Sequence, residues 1–349
     1  MNELTNILVE SVDRLLRDLM MDGMPSRNDQ ARHKVMWDAI QNLGITDLFL
    51  TEENGGFSGS WTDAFAVFSR LGYHAIPLPV GETIVAKGLL QKYGMETPKT
   101  AITLAIAGDS EIITDQKSQT HSFSGTLELV PWGESSEFVL VQCQHSGRDC
   151  YLLMSTKNGA PVNTHRNEAD EPRDTIVFSH APVAQLKILE KSAGELYASG
   201  ALLRTCQAAG ALEAALELST GYVQERKQFG RSISKFQVIQ HQLALLVEEA
   251  AAVSCAAQSA CKAFDMGDGQ FEIAAAKLRS NRAVNESTSI AHQVHGAIGF
   301  TKEHQLHYST QRLWSWRSEF GNDRYWAQRL GNEVLRSGRD SLWPRLTAN

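Results

Sequence analysis

Two stretches of the chain gather side chains able to hold an anionic, heteroaromatic ligand. In Glu225–Gln237 (ERKQFGRSISKFQ) the cations Arg226, Lys227, Arg231 and Lys235 cluster around two amides, Gln228 and Gln237. A guanidinium beside a carboxamide offers charge-assisted donors to a phosphate and a donor–acceptor pair to a heterocycle's edge. The plain alternative is a helix C-terminus whose basic residues complement the dipole, with Gly230 as its cap. The second stretch runs Gln293-Val294-His295-Gly296-Ala297-Ile298-Gly299. Its small residues would let a ligand approach the backbone, with Gln293 to read polar atoms, although an ordinary glycine-rich helix stop reads the same way. His292/His295 and His304/His307 stand three apart, a metal-like spacing, but no carboxylate or thiol completes a site and no metal is expected. The loop LTEENGGFSG has glycines that could cradle a phosphate; no basic residue follows it, so it reads as a turn.

Those stretches need elements to carry them. The 349 residues have room for two or three domains, and 42% apolar with 21% charged residues describes a globular protein. Lys+Arg 33 against Asp+Glu 40 leaves −7, which gives no support for a nucleic-acid or anionic-membrane surface. Eight of the 9 prolines precede Val183 and the last is Pro344, so Val183 to Trp343 is proline-free. Proline breaks helix interiors, and so long a gap predicts a helical domain there. Within it, helices are expected over Gly194–Lys227, Phe236–Met266 and Phe271–His295. Shorter ones follow at Leu306–Trp316 and Arg324–Arg336. Short connections between such helices predict an antiparallel bundle.

Residues 1–98 read as helices joined by loops: a first with Leu4, Ile7, Leu8, Val12, Leu15, Leu16 and Leu19 on one face, a second near Asp29–Leu43, a third from Ser60 to Leu71. Residues 99–184 change character. FVLVQC, CYLLMS and TIVFSH, separated by turn clusters, predict a small antiparallel sheet or sandwich. The amino terminus lacks a basic start and cleavage site, and no apolar run approaches about 18 residues, so neither signal peptide nor membrane span is expected. Five cysteines without a CxxC pair predict reduced thiols and a cytoplasmic protein.

ERKQFGRSISKFQVIQHQLA followed by AHQVHGAIGFTKEHQL resembles the carboxy-terminal helical domain of acyl-CoA dehydrogenases. GITDLFLTEENGG and LGYHAIPLPVGET resemble that family's amino-terminal helical domain. The implied fold is mainly α with a small β domain: an N-terminal helical domain (1–98), a reduced antiparallel β domain (99–184) and a C-terminal four-helix-type bundle (185–349).

The resemblance implies FAD held at a subunit interface. Arg226 and Gln228 would contact its pyrophosphate, and Phe229 would pack beside it. Gln237 matches the family's flavin-contacting FQ pair. Gln293, Val294, His295, Gly296 and Ala297 match the loop that reaches FAD from a neighbouring subunit. The implied chemistry is α,β-dehydrogenation of an acyl-CoA thioester. A carboxylate takes the α-proton, the β-hydrogen leaves as hydride, and the flavin carries the redox step. The family's base is a Glu followed by Gly. Glu319 in SEFGND lies 20 residues past Gly299, one short of the family spacing and with Phe320 intervening, and Asp323 is a second candidate. The alternative base position on the preceding long helix is Gly200. Ala201 stands where many members carry a substrate-contacting Arg, and Arg204 lies one turn on. No TEPGSGSD-like segment or Trp-Thr contact is found, and VPWGESSEFVLV keeps only the second half of the middle domain. An electron-transfer flavoprotein or similar acceptor is implied, as is a dimer or tetramer, with a second related subunit as one option. Two rival readings stand: a partner subunit that completes another chain's site without catalysing, and a helical scaffold without cofactor.

Overall fold

The computed structural model describes residues 3–108, 110–115, 120–190, 194–267, 269–338, 342–344 and 347. Helices α1 (Glu3–Met20), α2 (Gln30–Asn42), α3 (Trp61–Tyr73) and α4 (Val80–Lys92) come first. Strands β1 (Ile102–Ile106), β2 (Ser110–Asp115), β3 (Thr120–Pro131), β4 (Phe138–His145), β5 (Arg148–Ser155), β6 (Ala160–Arg166), β7 (Pro172–Pro182) and β8 (Gln185–Ile188) follow. The remainder is α5 (Glu195–Glu225), the two-residue strands β9 (Lys227–Gln228) and β10 (Arg231–Ser232), then α6 (Gln237–Asp265), α7 (Gln270–His295), α8 (Leu306–Ser318) and α9 (Asp323–Ser337). Two compact units emerge: Met1–Ser60 with Ile76–Leu203, and Trp61–Ala75 with Arg204–Asn349.

In the first unit, Asp29 caps α2 by accepting from the Arg32 amide at 3.0 Å, while Val12 and Leu16 of the first helical stripe are buried. The side chains of Leu4 and Ile7 from that stripe lie outside the described ones, as does Asp268 between the expected helices Phe236–Met266 and Phe271–His295. Helix α4 is absent from the sequence-based expectation. From Val80 to Leu90 only Gly88 is not fully buried, and a helix surrounded on all sides shows no apolar stripe to detect.

The strands form two four-stranded sheets, ordered β1-β4-β5-β8 and β2-β3-β7-β6. Among the described residues the pairings in these two sheets are antiparallel, as expected, apart from β1 with β4, which run parallel. Alternate residues Val139, Val141 and Cys143 on β4, and Cys150, Leu152 and Met154 on β5, share one apolar cluster with Phe123, Leu127, Ile176 and Phe178 of the other sheet. Intervening Leu140, Tyr151 and Leu153 are buried as well, so these strands read as continuous apolar runs.

The second unit joins α3 to the carboxy-terminal helices. Helices α3 and α5 cross at glycines: a Cβ on Gly72 would lie 2.0 Å from the Gln207 carbonyl oxygen, and one on Gly210 would lie 1.8 Å from that of Ser69. Asp265 at the end of α6 caps the start of α3, accepting from the Trp61 amide at 2.7 Å and the Thr62 amide at 2.9 Å. Among the described residues α6 is the one helix long and apolar enough by composition to cross a membrane. It packs along α7, burying Leu246, Ala250, Val253, Ala257 and Cys261.

Candidate active site

Helix α5 ends at Glu225, and the chain reverses at once in a hairpin that pairs Arg231 with Gln228 and Ser232 with Lys227. Its two turn residues, Phe229 (φ 52) and Gly230 (φ 76), both have positive φ, the geometry that suits a tight hairpin's twist. Glycine adopts it freely; phenylalanine is strained there, and such strain concentrates at functional sites. The Phe229 side chain is 91% exposed. Arg226, Gln228 and Phe229 thus share one exposed hairpin, with Gln237 exposed at the first residue of α6. The Arg231 guanidinium lies 4.3 Å from the centre of the Phe236 ring.

At the far end of α7, Gln293, Gly296 and Ala297 are exposed, whereas Val294 and His295 turn inward. Val294 packs with Val223, Leu246 and Ile290. His295 stacks on Tyr222 at 4.7 Å, and its Nδ1 bonds the Ala291 carbonyl at 2.7 Å. Val294 and His295 can therefore offer a ligand only their backbone. The stack ties the end of α7 to the end of α5, close in sequence to the hairpin. Beside Gln293 and Gly296 a groove of about 510 Å³ is lined by Ser289, His292, Phe300 and Trp314. His292 is sandwiched between Phe300 (4.4 Å) and Trp314 (5.7 Å), and its Nε2 meets the Thr310 hydroxyl at 3.1 Å. Burial pushes the imidazoles of His292, His295 and His304 below their ordinary range. Among the described residues no group of three His, Cys, Asp or Glu side chains is placed to hold a metal.

Glu319 stands elsewhere, at the C-terminus of α8. Helical geometry ends there, with ψ 137 at Glu319, and the next two residues have positive φ: Phe320 at 51 and Gly321 at 102. Gly321 is obligatory, because a Cβ would sit 2.3 Å from Trp326 Nε1. That same Nε1 donates to the Phe320 carbonyl at 2.9 Å. The Glu319 side chain is 14% exposed and Arg204 of α5 only 2%. Arg204 Nε donates to Glu319 Oε2 at 2.7 Å, and its Nη1 donates to Gln207 Oε1 at 2.7 Å. The rings of Trp316 and Phe320 lie 5.9 and 6.0 Å from the same guanidinium. Asp323, the second candidate base, is the first residue of α9 and is ion-paired to Arg317.

Sequence reasoning missed the residues beneath this turn. Lys277 and Asn281 lie four apart on α7, both buried, and Lys277 Nζ donates to the carbonyl of Trp316 at 2.6 Å. Their signal was available: two polar residues on the apolar face that carries Phe271, Ala274 and Leu278.

Amino-terminal helices, small paired sheets and a carboxy-terminal helical bundle define the acyl-CoA dehydrogenase fold class. The profile of the domain described as "Acyl-CoA dehydrogenase, C-terminal domain" matches residues 193–318, ending one residue before Glu319. Acryloyl-CoA reductase (NADH) of Anaerotignum propionicum is 36% identical over 306 residues, covering 76% of this chain and 78% of its own. Acyl-CoA dehydrogenase FadE34 of Mycobacterium tuberculosis is 28% identical over 303 residues, 83% of this chain, and the chain spans 41% of FadE34's length. The crystal structure of the ChsE4-ChsE5 complex from Mycobacterium tuberculosis superposes with a TM-score of 0.86 at 19% identity, covering 97% of this chain and 99% of that one. The chain belongs to the acyl-CoA dehydrogenase family.

Proposed function

We propose that the chain catalyses FAD-dependent α,β-dehydrogenation of an acyl-CoA thioester, with Glu319 as the base. The observation that carries this reading is the half-buried Glu319 carboxylate, fixed by Arg204 at 2.7 Å on a turn whose backbone is constrained on both sides. A carboxylate oriented by a hydrogen bond in a largely water-excluded place suits proton abstraction α to a carbonyl. Arg204 balances its charge before substrate binds.

The residues present fit FAD. Arg226 and Gln228 are exposed together on a hairpin, and a guanidinium with an amide suits a pyrophosphate. Phe229 projects from the same turn, and Gln237 follows at the start of α6. Gly296 has φ 63, and a Cβ there would meet nothing within 4 Å, so its backbone is open to a ligand beside Gln293 and Ala297. The chemistry FAD supplies when bound is acceptance of the β-hydrogen as hydride. Lys277, near the Glu319 turn, and Gln293 stand 16 residues apart on α7 (293 minus 277), roughly 24 Å at 1.5 Å per residue. A base and a cofactor loop so far apart on one chain support a dimer or tetramer in which each site draws on two subunits. Electrons would pass to an electron-transfer flavoprotein or similar acceptor. Domains at 1–98, 99–184 and 185–349, and a cytoplasmic location consistent with five free thiols, complete the reading.

The visible spectrum of the purified protein and its titration with an acyl-CoA panel test it. A yellow protein that bleaches supports the enzyme, and Glu319→Gln should keep the flavin while slowing reduction by orders of magnitude. Unchanged reduction in that variant removes Glu319 from the role. A second reading, a non-catalytic partner subunit, is favoured by the guanidinium already occupying Glu319. A yellow protein that no acyl-CoA bleaches would select it.

A further inference from the structure

An α-helix ends with four carbonyls that no intrahelical N–H can reach. At the end of α8 two of these, on Trp316 and Arg317, face a side chain from α7: Lys277 Nζ lies 2.6 Å from the first and 3.4 Å from the second. Its third contact is Asn281 Oδ1, at 2.8 Å. An ammonium carries three N–H donors and no acceptor, so three acceptors around one buried Nζ match its charged form. Asn281, one helical turn along, donates its own Nδ2 to the Gly321 carbonyl at 3.4 Å. Lys277 and Asn281 thus hold the chain just before and just after Glu319.

We propose that Lys277 is the positioning residue of the candidate base: its ammonium grips the last carbonyls of α8 and so fixes where the chain leaves that helix and where the Glu319 carboxylate stands. The proposal rests on the reading of Glu319 as base. An apolar side chain would fill the same space without the cost of burying a charge. What the ammonium adds is this grip. Arg204 holds the Glu319 carboxylate through its side chain, and the path of the backbone out of α8 sets where that carboxylate stands. That path bends through Phe320 at φ 51, which no unconstrained phenylalanine would favour.

The grip is sensitive to pH. Burial pushes Lys277 from its ordinary value down to about 7. Of the charged groups facing it, Glu319 and Asp323 of α9 oppose that shift, while Arg204 of α5 and Arg317 of α8 add to it. Above pH 7 the neutral amine keeps two N–H donors for three acceptors, and the turn loosens.

The test uses the assembled protein with its flavin and an acyl-CoA that bleaches it, following flavin reduction by stopped flow from pH 6 to 9. Lys277→Met should retain FAD and bind acyl-CoA with little change, yet reduce flavin about 100-fold more slowly, the scale of loss expected of a misplaced group. The wild-type rate should fall as pH rises through 7, and that fall should vanish in the variant. Lys277→Gln, which keeps an N–H donor, should recover part of the rate. Wild-type rate and pH profile in Lys277→Met, alongside a Glu319→Gln variant that has lost reduction, would overturn the role of Lys277 and leave the base in place. Wild-type reduction by Glu319→Gln, or a protein that no acyl-CoA bleaches, defeats the base reading, and the proposal falls with it. Should neither lysine variant fold, the wild-type profile decides: a fall above pH 7 supports the grip, and a flat profile overturns it.

Discussion

Arg204 and Glu319, 115 residues apart in sequence, meet as an ion pair of a buried guanidinium and a half-buried carboxylate, with 2.7 Å between Nε and Oε2. The pair links the middle of α5 to the turn after α8 and gives that turn a fixed carboxylate. Arg204 is itself committed on three sides: to Glu319, to Gln207 and to the faces of Trp316 and Phe320. A guanidinium so constrained works by orientation as much as by charge, since its planar fork leaves few alternative poses.

Removing either partner should therefore have unequal costs. Arg204→Met leaves the carboxylate in a site 14% exposed without its guanidinium, and breaking a buried pair costs about 3–5 kcal/mol. Glu319→Gln keeps an amide oxygen within reach of Arg204 and should cost about 1 kcal/mol. Urea denaturation of both variants checks this. Equal losses would mean that the guanidinium contributes no more than a neutral hydrogen bond.

Much of this arrangement was legible in local sequence and part was not. The RKQFG segment and the QVHGAIG loop are short and contiguous, so their residues could be named directly. Only the fold shows that Val294 and His295 face inward while Gln293 faces out. Glu319 could be proposed from its distance to Gly299, but its partner could not, because Arg204 arrives from a helix more than a hundred residues upstream. Helix α4 escaped notice because burial on nearly every side erases periodicity. The parallel β1–β4 pair escaped because runs of apolar residues carry no sign of strand direction.

The hairpin separates flavin binding from folding. Arg226 is exposed, so Arg226→Ala should leave the thermal midpoint near wild type while FAD is lost from the purified protein. Phe229→Gly should go further in dissociating the two, relieving a positive-φ strain of about 1 kcal/mol while weakening flavin retention. Flavin-to-protein absorbance ratios and thermal melts report both quantities. Full flavin occupancy in Arg226→Ala would take the hairpin out of the cofactor site.

Acid should destabilise the second unit through its buried imidazoles. Burial lowers the folded-state values of His292 and His295 below the ordinary 6.5, so the unfolded chain binds more protons in that window. Stability is then fully present above pH 6.5 and declines as pH falls through the lowered values. Lys277 adds a slope of the same sign at higher pH, from about 7 towards its ordinary 10.5. Unfolding free energies measured from pH 5 to 9 should rise with pH. His292→Gln, which keeps a polar side chain near Thr310, should flatten the acid limb, and an unchanged limb would assign it to other groups.

Two glycines of α5 should respond to alanine in opposite directions. Gly210 sits where α3 crosses, and a Cβ there would fall 1.8 Å from the Ser69 carbonyl and 2.9 Å from the Tyr73 amide nitrogen, both backbone atoms that cannot swing aside. Gly210→Ala must push the helices apart, and overpacking of this kind costs about 1–3 kcal/mol or more. Gly221, eleven residues along the same helix (221 minus 210), has nothing within 4 Å of an added Cβ. There the methyl group meets open space and the substitution only removes unfolded-state freedom, a gain of up to about 1 kcal/mol. Denaturation midpoints of the two variants should lie on opposite sides of wild type. If Gly221→Ala destabilises, the end of α5 is not a regular helix in solution; if Gly210→Ala is neutral, the close crossing of α3 and α5 is wrong.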